Sequence, residues 1–133
     1  MYYVDELASK IERVSGCHKH DLELIDNVWQ LIKKRKVNRQ HRGTNIVNNS
    51  LNFTVSFRLE NEDLPPLNKA EVFLMPSEIQ IFMKALINHP CSFPTNFMQQ
   101  LSKERGMYCI TLAAYESPED FTERLFAAIR ILS

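Results

Sequence analysis

Between Glu71 and Leu112 the hydrophobic period switches from that of a strand to that of a helix and back, and no other stretch limits the possible folds as much. It reads as strand, helix, strand, hairpin, strand. The short run from Glu71 to Met75 suits a strand buried on both faces. A helix should follow. Ser77 and Gln80 have the spacing of a capping box, Pro76 can pack on Ile81 as a staple, and Ile79, Phe82, Met83 and Leu86 share one face. Asn88, His89 and Pro90 end that run, because proline cannot continue a helix. Cys91, Phe93, Thr95, Phe97 and Gln99 then alternate with Ser92, Pro94, Asn96 and Met98, which predicts a strand that Pro94 pushes toward an edge or a bulge. Lys103 to Gly106 supply a turn, and the nearly continuous apolar run from Met107 to Tyr115 predicts a central strand.

The rest of the chain supplies cover and further strands. Val4, Leu7, Ala8, Ile11 and Val14 lie on one helical face, and Ser15 and Gly16 supply the stop. Leu22 to Ile32 reads as a hairpin turning at Asp26 and Asn27. Leu51, Phe53, Val55, Phe57 and Leu59 alternate with polar residues, the pattern of a strand with one buried and one wet face. Ser117, Pro118, Glu119 and Asp120 form a helix start, followed by the apolar stripe Phe121, Leu125, Ala128, Ile129 and Leu132. The expected class is α+β: a mainly antiparallel sheet of about five or six strands with three helices, containing a C-terminal β-α-β-β-α unit.

With 133 residues, one domain spanning 1–133 is expected. Sixteen basic and sixteen acidic residues cancel, so no global field favours nucleic acid or an anionic membrane, and zero net charge leans toward self-association. The sequence shows no signal peptide and no long apolar run, so a soluble, cytoplasmic protein without membrane contact is expected. Cys17, Cys91 and Cys109 are widely spaced with no CxxC, which favours thiols over disulfides.

Several segments together resemble a bacterial family of unknown function, the LppY/LpqO-like proteins: NVWQLIKKR before HRG, then SLNFTVSF, then EVFLMPSEIQIFMKAL, a strand pair and the final helix. The likeness covers most of the chain through core positions. The family carries a His-Asn-His element and one further histidine on its strand pair, and these histidine positions fall on Phe97, Gln99 and Thr111. If those histidines bind metal or move protons, the resemblance implies a degenerate unit here, since none of the three replacements can do that work near neutrality. Family members often carry the unit twice, and the resemblance therefore implies that a single unit pairs with itself.

Three places could carry chemistry. Cys17, His18 and His20 could share a metal ion with a distant partner such as His41 or His89; the plainer alternative is a polar loop. Trp29 with Lys33, Lys34, Arg35, Lys36, Arg39 and Arg42 could grip phosphates and stack a base, or be a solvated edge strand guarded by lysines. Phe97, Gln99, Cys109 and Thr111 would mark a ligand pocket if the resemblance holds, or plain core. Enzyme motifs are absent from the sequence: it has no GxSxG elbow and no glycine-rich phosphate loop. The expectation is a non-catalytic binding or interaction module, without a cofactor, that forms a homodimer and takes a small-molecule or protein partner. Metal-assisted hydrolysis and nucleic-acid binding stand as the alternatives.

Overall fold

A computed structural model describes residues 9, 12–13, 22–25, 28–36, 50–58, 65–104 and 106–132, leaving aside the side chains of 22, 24–25, 34–36, 50–52 and 104. Six strands form one antiparallel sheet: β1 (Leu22–Ile25), β2 (Val28–Lys36), β3 (Ser50–Arg58), β4 (Leu67–Leu74), β5 (Met98–Glu104) and β6 (Met107–Tyr115). Their spatial order is β1-β2-β3-β4-β6-β5. Two α-helices join them among the described residues, α1 (Ile79–Ile87) after a 3-10 turn at Pro76–Glu78, and α2 (Pro118–Ile131). The α+β class and the C-terminal β-α-β-β-α unit therefore hold. Of the N-terminal helix expected over residues 4–14, only Ser9, Glu12 and Arg13 are described; all three are helical and exposed. Arg13 reaches Glu119 in the first turn of α2 at 3.5 Å.

The sheet has one dry face. Phe53, Val55 and Phe57 of β3 pair across to Val72, Ala70 and Asn68 of β4, which pair in turn with Ile110, Leu112 and Ala114 of β6. All of these are buried, and α1 and α2 cover them with Phe82, Leu86, Phe121, Leu125, Phe126, Ala128 and Ile129. Phe126 meets Phe53 edge-to-face at 5.3 Å between ring centroids, the arrangement that ring quadrupoles favour. On the opposite face Thr54, Ser56, Lys69, Glu71 and Thr111 are half-buried or exposed.

Register corrects several expectations. The run at Glu71 is buried on one face only: Glu71 is exposed, Phe73 half-buried, and the strand starts earlier, at Leu67. β2 is an inner strand, because the short β1 pairs along its outer side. α1 does not start on a Ser77 box. The Met75 N–H donates to Glu78 Oε1 at 2.8 Å and the Glu78 N–H to the Met75 carbonyl at 2.9 Å, so a glutamate one turn ahead of the helix closes its start. The Ser117 cap of α2 forms as expected, its Oγ accepting from the Asp120 N–H at 3.2 Å. β4 and β5 run in the same direction with β6 inserted between them, a split crossover.

The strand expected from Cys91 starts only at Met98, and it extends through Glu104 into the segment read as a turn. Pro94 has no N–H to donate, and the Phe97 N–H turns back to the Pro94 carbonyl at 3.1 Å. At the place where the β5–β6 register would continue to residue 96, a side chain takes over. Asn96 Nδ2 donates to the Tyr115 carbonyl at 3.1 Å, and Asn96 Oδ1 accepts from the Tyr115 N–H at 2.8 Å. One amide thus reproduces both bonds of a ladder rung. Asn96→Ala should cost about 1 kcal/mol, the net worth of a hydrogen bond, and speed hydrogen exchange at the Tyr115 amide while the Ala113 amide is unchanged. Unchanged exchange at Tyr115 would refute the rung. The hairpin closes at Gly106, whose φ of 80° lies in the left-handed region that glycine adopts without strain.

Candidate functional site

α1 and α2 pack against each other with a groove left open between them. Ile81, Lys84, Ala85 and Asn88 lie along one side of α1, and Ala127 and Ile131 lie along α2. The groove follows from side-chain size. Ala85 and Ala127, both half-buried, fill little of the space at the helix contact, while Ile81 and Ile131 stand 49% and 60% exposed on either side. Its volume is about 440 Å³, within the range of ligand pockets. His89 and Pro90 line it beyond the end of α1. Ile87, just before them, is 68% exposed. Lys84 is the formally charged residue of the lining, and no carboxylate stands among the lining residues.

A buried arginine holds the loop that supplies His89 and Pro90. Arg124 of α2 is 1% exposed. Its Nη1 and Nη2 grip the two Glu116 oxygens at 2.8 Å each, a bidentate fork. Its Nε donates to the Cys91 carbonyl at 2.9 Å and its Nη2 to the Ser92 carbonyl at 3.1 Å. Cys91 Sγ lies 3.4 Å from the same Nη2, and the guanidinium sits 4.4 Å over the Phe93 ring, which stacks on Phe97. Burial alone would lower the Arg124 pKa, but the hydrogen bonds and charge of Glu116 outweigh it and the pKa stands above the ordinary arginine value. Cys91 also donates its N–H to His89 Nδ1 at 3.0 Å, which fixes that nitrogen as the acceptor. The chain from Arg124 through Cys91 to His89 therefore sets the end of the groove.

A second depression, about 300 Å³, lies on the open face of the sheet among Val28, Gln30, Thr54, Ser56, Lys69 and Glu71. Its side chains come from three neighbouring strands and mix one cation, one carboxylate and two hydroxyls.

The sites expected from sequence fare differently. Cys17, His18, His20, Arg39, His41 and Arg42 lie outside the described residues. Among the described residues no group of three His, Cys, Asp or Glu side chains could hold a metal ion. Trp29 packs against the core on the helix-covered face, beside Leu31, and so is not a free stacking platform. Lys33 is half-buried opposite Phe53; Lys34, Arg35 and Lys36 continue β2. The four residues of the expected pocket are not brought together. Register sets Gln99 opposite Leu112 on the helix-covered face, where Phe97 also packs against the core. Cys109 and Thr111 pair with Ser102 and Gln100 on the other face. Neither Cys91 nor Cys109 is in a disulfide.

In the sequence the groove is marked only by apolar residues that fall outside the helix stripes. Ile81 and Ile87 fall off the apolar stripe of α1, and Ile131 falls off that of α2. Apolar residues that a helix does not turn inward, beside alanines at its contact, are the signal. No family model matches the chain, and neither a curated protein nor a solved structure matches it.

Proposed function

We propose that this chain is a small cytoplasmic binding module without catalysis of its own, working as a homodimer, and that the groove between α1 and α2 takes the apolar face of a partner's amphipathic helix. The observation that carries this reading is a ready groove with an alanine floor and isoleucine walls, the shape that receives a helix presenting side chains at i, i+3, i+4 and i+7. The charge of the lining narrows the partner. With Lys84 on its wall and no carboxylate in its lining, the groove suits a helix that carries glutamates beside its apolar stripe. Cys91 and Cys109, neither of them in a disulfide, fit a reducing compartment. Among the described residues no helix is long and apolar enough to cross a membrane. The likeness to the LppY/LpqO-like proteins remains part of the proposal; the repeated unit of that family would be matched here by two copies of the chain.

The test uses a synthetic helical peptide with leucines at the four anchor positions and glutamates flanking them. Wild-type protein should bind it, and Ile131→Lys and Ala127→Trp should each weaken binding on the order of tenfold or more, by charging the wall and by filling the floor. Ile131 is exposed, so its variant should fold as wild type does. Lys84→Glu should weaken binding less, and raised salt should erase that difference. No binding to the wild type, or equal binding to all variants, would overturn the assignment.

A further inference from the structure

The outer edge of β5 carries a row of backbone groups without a sheet neighbour among the described residues, and its residues fix which groups these are. Tyr115 turns both its N–H and its C=O toward Asn96, on the β5 side. In an antiparallel ladder the direction alternates by residue, so Ala113, Thr111, Cys109 and Met107 also face β5. Two other contacts agree: the Ser102 hydroxyl reaches the Cys109 carbonyl at 3.5 Å, and the Ala114 carbonyl turns the other way, accepting from Asn68 of β4 at 3.1 Å. The partners Met98, Gln100, Ser102 and Glu104 therefore spend their backbone bonds on β6. Gln99, Leu101 and Lys103 direct their N–H and C=O groups outward.

We propose that this edge is the surface on which a second copy of the chain docks, β5 against β5 in antiparallel, with Leu101 on the two-fold axis. That register sets Leu101 against its own copy and Gln99 against Lys103, so every outward group of the three residues finds a partner. The charges are compatible: no like charges face each other across the pair, and the chain carries no net charge to hold copies apart. Leu101 is 48% exposed and Met98 57%, and both would lose water in the joined sheet. Lysines on edge strands normally guard against such pairing, but here Lys103 leans back over its cross-strand neighbour Tyr108, with its Nζ 5.9 Å from the ring centroid. The guard faces the sheet, and no described strand covers the edge. The opposite edge, β1, spans only Leu22–Ile25.

This inference rests on the homodimer proposed above and is separable from the groove. Sedimentation equilibrium over a broad concentration range should give a monomer–dimer equilibrium for the wild type. Leu101→Lys, which opposes two lysines on the axis, and Leu101→Pro, which deletes an outward donor without touching the β6 ladder, should each raise the dissociation constant on the order of tenfold or more. Hydrogen exchange should show Leu101 and Lys103 amides protected in the dimer and open on dilution, with Gln100 and Ser102 protected in both. Ile131→Lys should leave the dimer intact, and the Leu101→Lys monomer should still bind the helical peptide. A strict monomer at every concentration would overturn the pairing together with the homodimer. A dimer that survives both Leu101 variants, or exchange without the alternation, would overturn the pairing alone.

Discussion

Arg124→Ala should destabilise the protein by about 3–5 kcal/mol, a large part of the 5–15 kcal/mol typical of a domain. The loss has two sources. Glu116, whose side chain is 10% exposed, is left with a buried charge and no fork to hold it. The Cys91 and Ser92 carbonyls also lose the donors that hold their loop. A double variant separates these. Arg124→Met with Glu116→Met removes the unpaired charge and should recover part of the loss, but not the part that belongs to the loop carbonyls. Because the pKa of Arg124 is raised on folding, its contribution is complete below the unfolded arginine value and fades only as pH climbs through the still higher folded value. The cost of Arg124→Ala should thus be the same at about pH 6 and about pH 9. Urea unfolding at both pH values checks the size and the flatness; a loss under about 1 kcal/mol would deny the arginine its structural role.

Phe82→Ala should cost about 3–5 kcal/mol as well, by leaving a cavity under α1. Phe82 is fully buried, and with Leu86 it supplies the buried contacts of a helix only nine residues long. A helix of that length is marginal by itself, so its place depends on the face it buries. The same helix carries Ile81, Lys84 and Ala85 on its groove side. Loss of peptide binding should therefore accompany loss of stability in Phe82→Ala. Phe82→Leu, which keeps most of the volume, should retain both in larger measure. Parallel thermal melts and peptide titrations test this; full binding by a Phe82→Ala protein that remains folded would cut the link between the core and the groove.

What could be read from sequence follows a physical division. The alternation of β3 and the cap of α2 are local patterns, each written within ten residues, and they appear in the structure where they were expected. Arg124 was invisible because its meaning is not local. Its partners are Glu116, eight residues back, and Cys91 and Ser92, more than thirty residues away, and only the fold brings them together. The start of β5 failed for a similar reason: alternation ran through Cys91 to Gln99, but Pro94 broke the ladder and Asn96 replaced a backbone rung with its side chain. The expected pocket failed on parity. Spacing along each strand was compatible with a shared site, but the register of β5 against β6 sets Gln99 and Thr111 on opposite faces. The groove needed both helices at once, since neither Ala85 nor Ala127 signals anything alone.

The proposed docking of a helix between α1 and α2 would leave its mark on the methyl groups of the groove. The most direct measurement is a methyl-resolved NMR titration with the leucine–glutamate peptide. Shifts should concentrate on Ile81, Ala85, Ala127 and Ile131, with Ile87 at the margin, and none should appear at Thr54 across the sheet. Shifts gathered instead around Val28 and Thr54 on the open face, or no shifts at all, would contradict it.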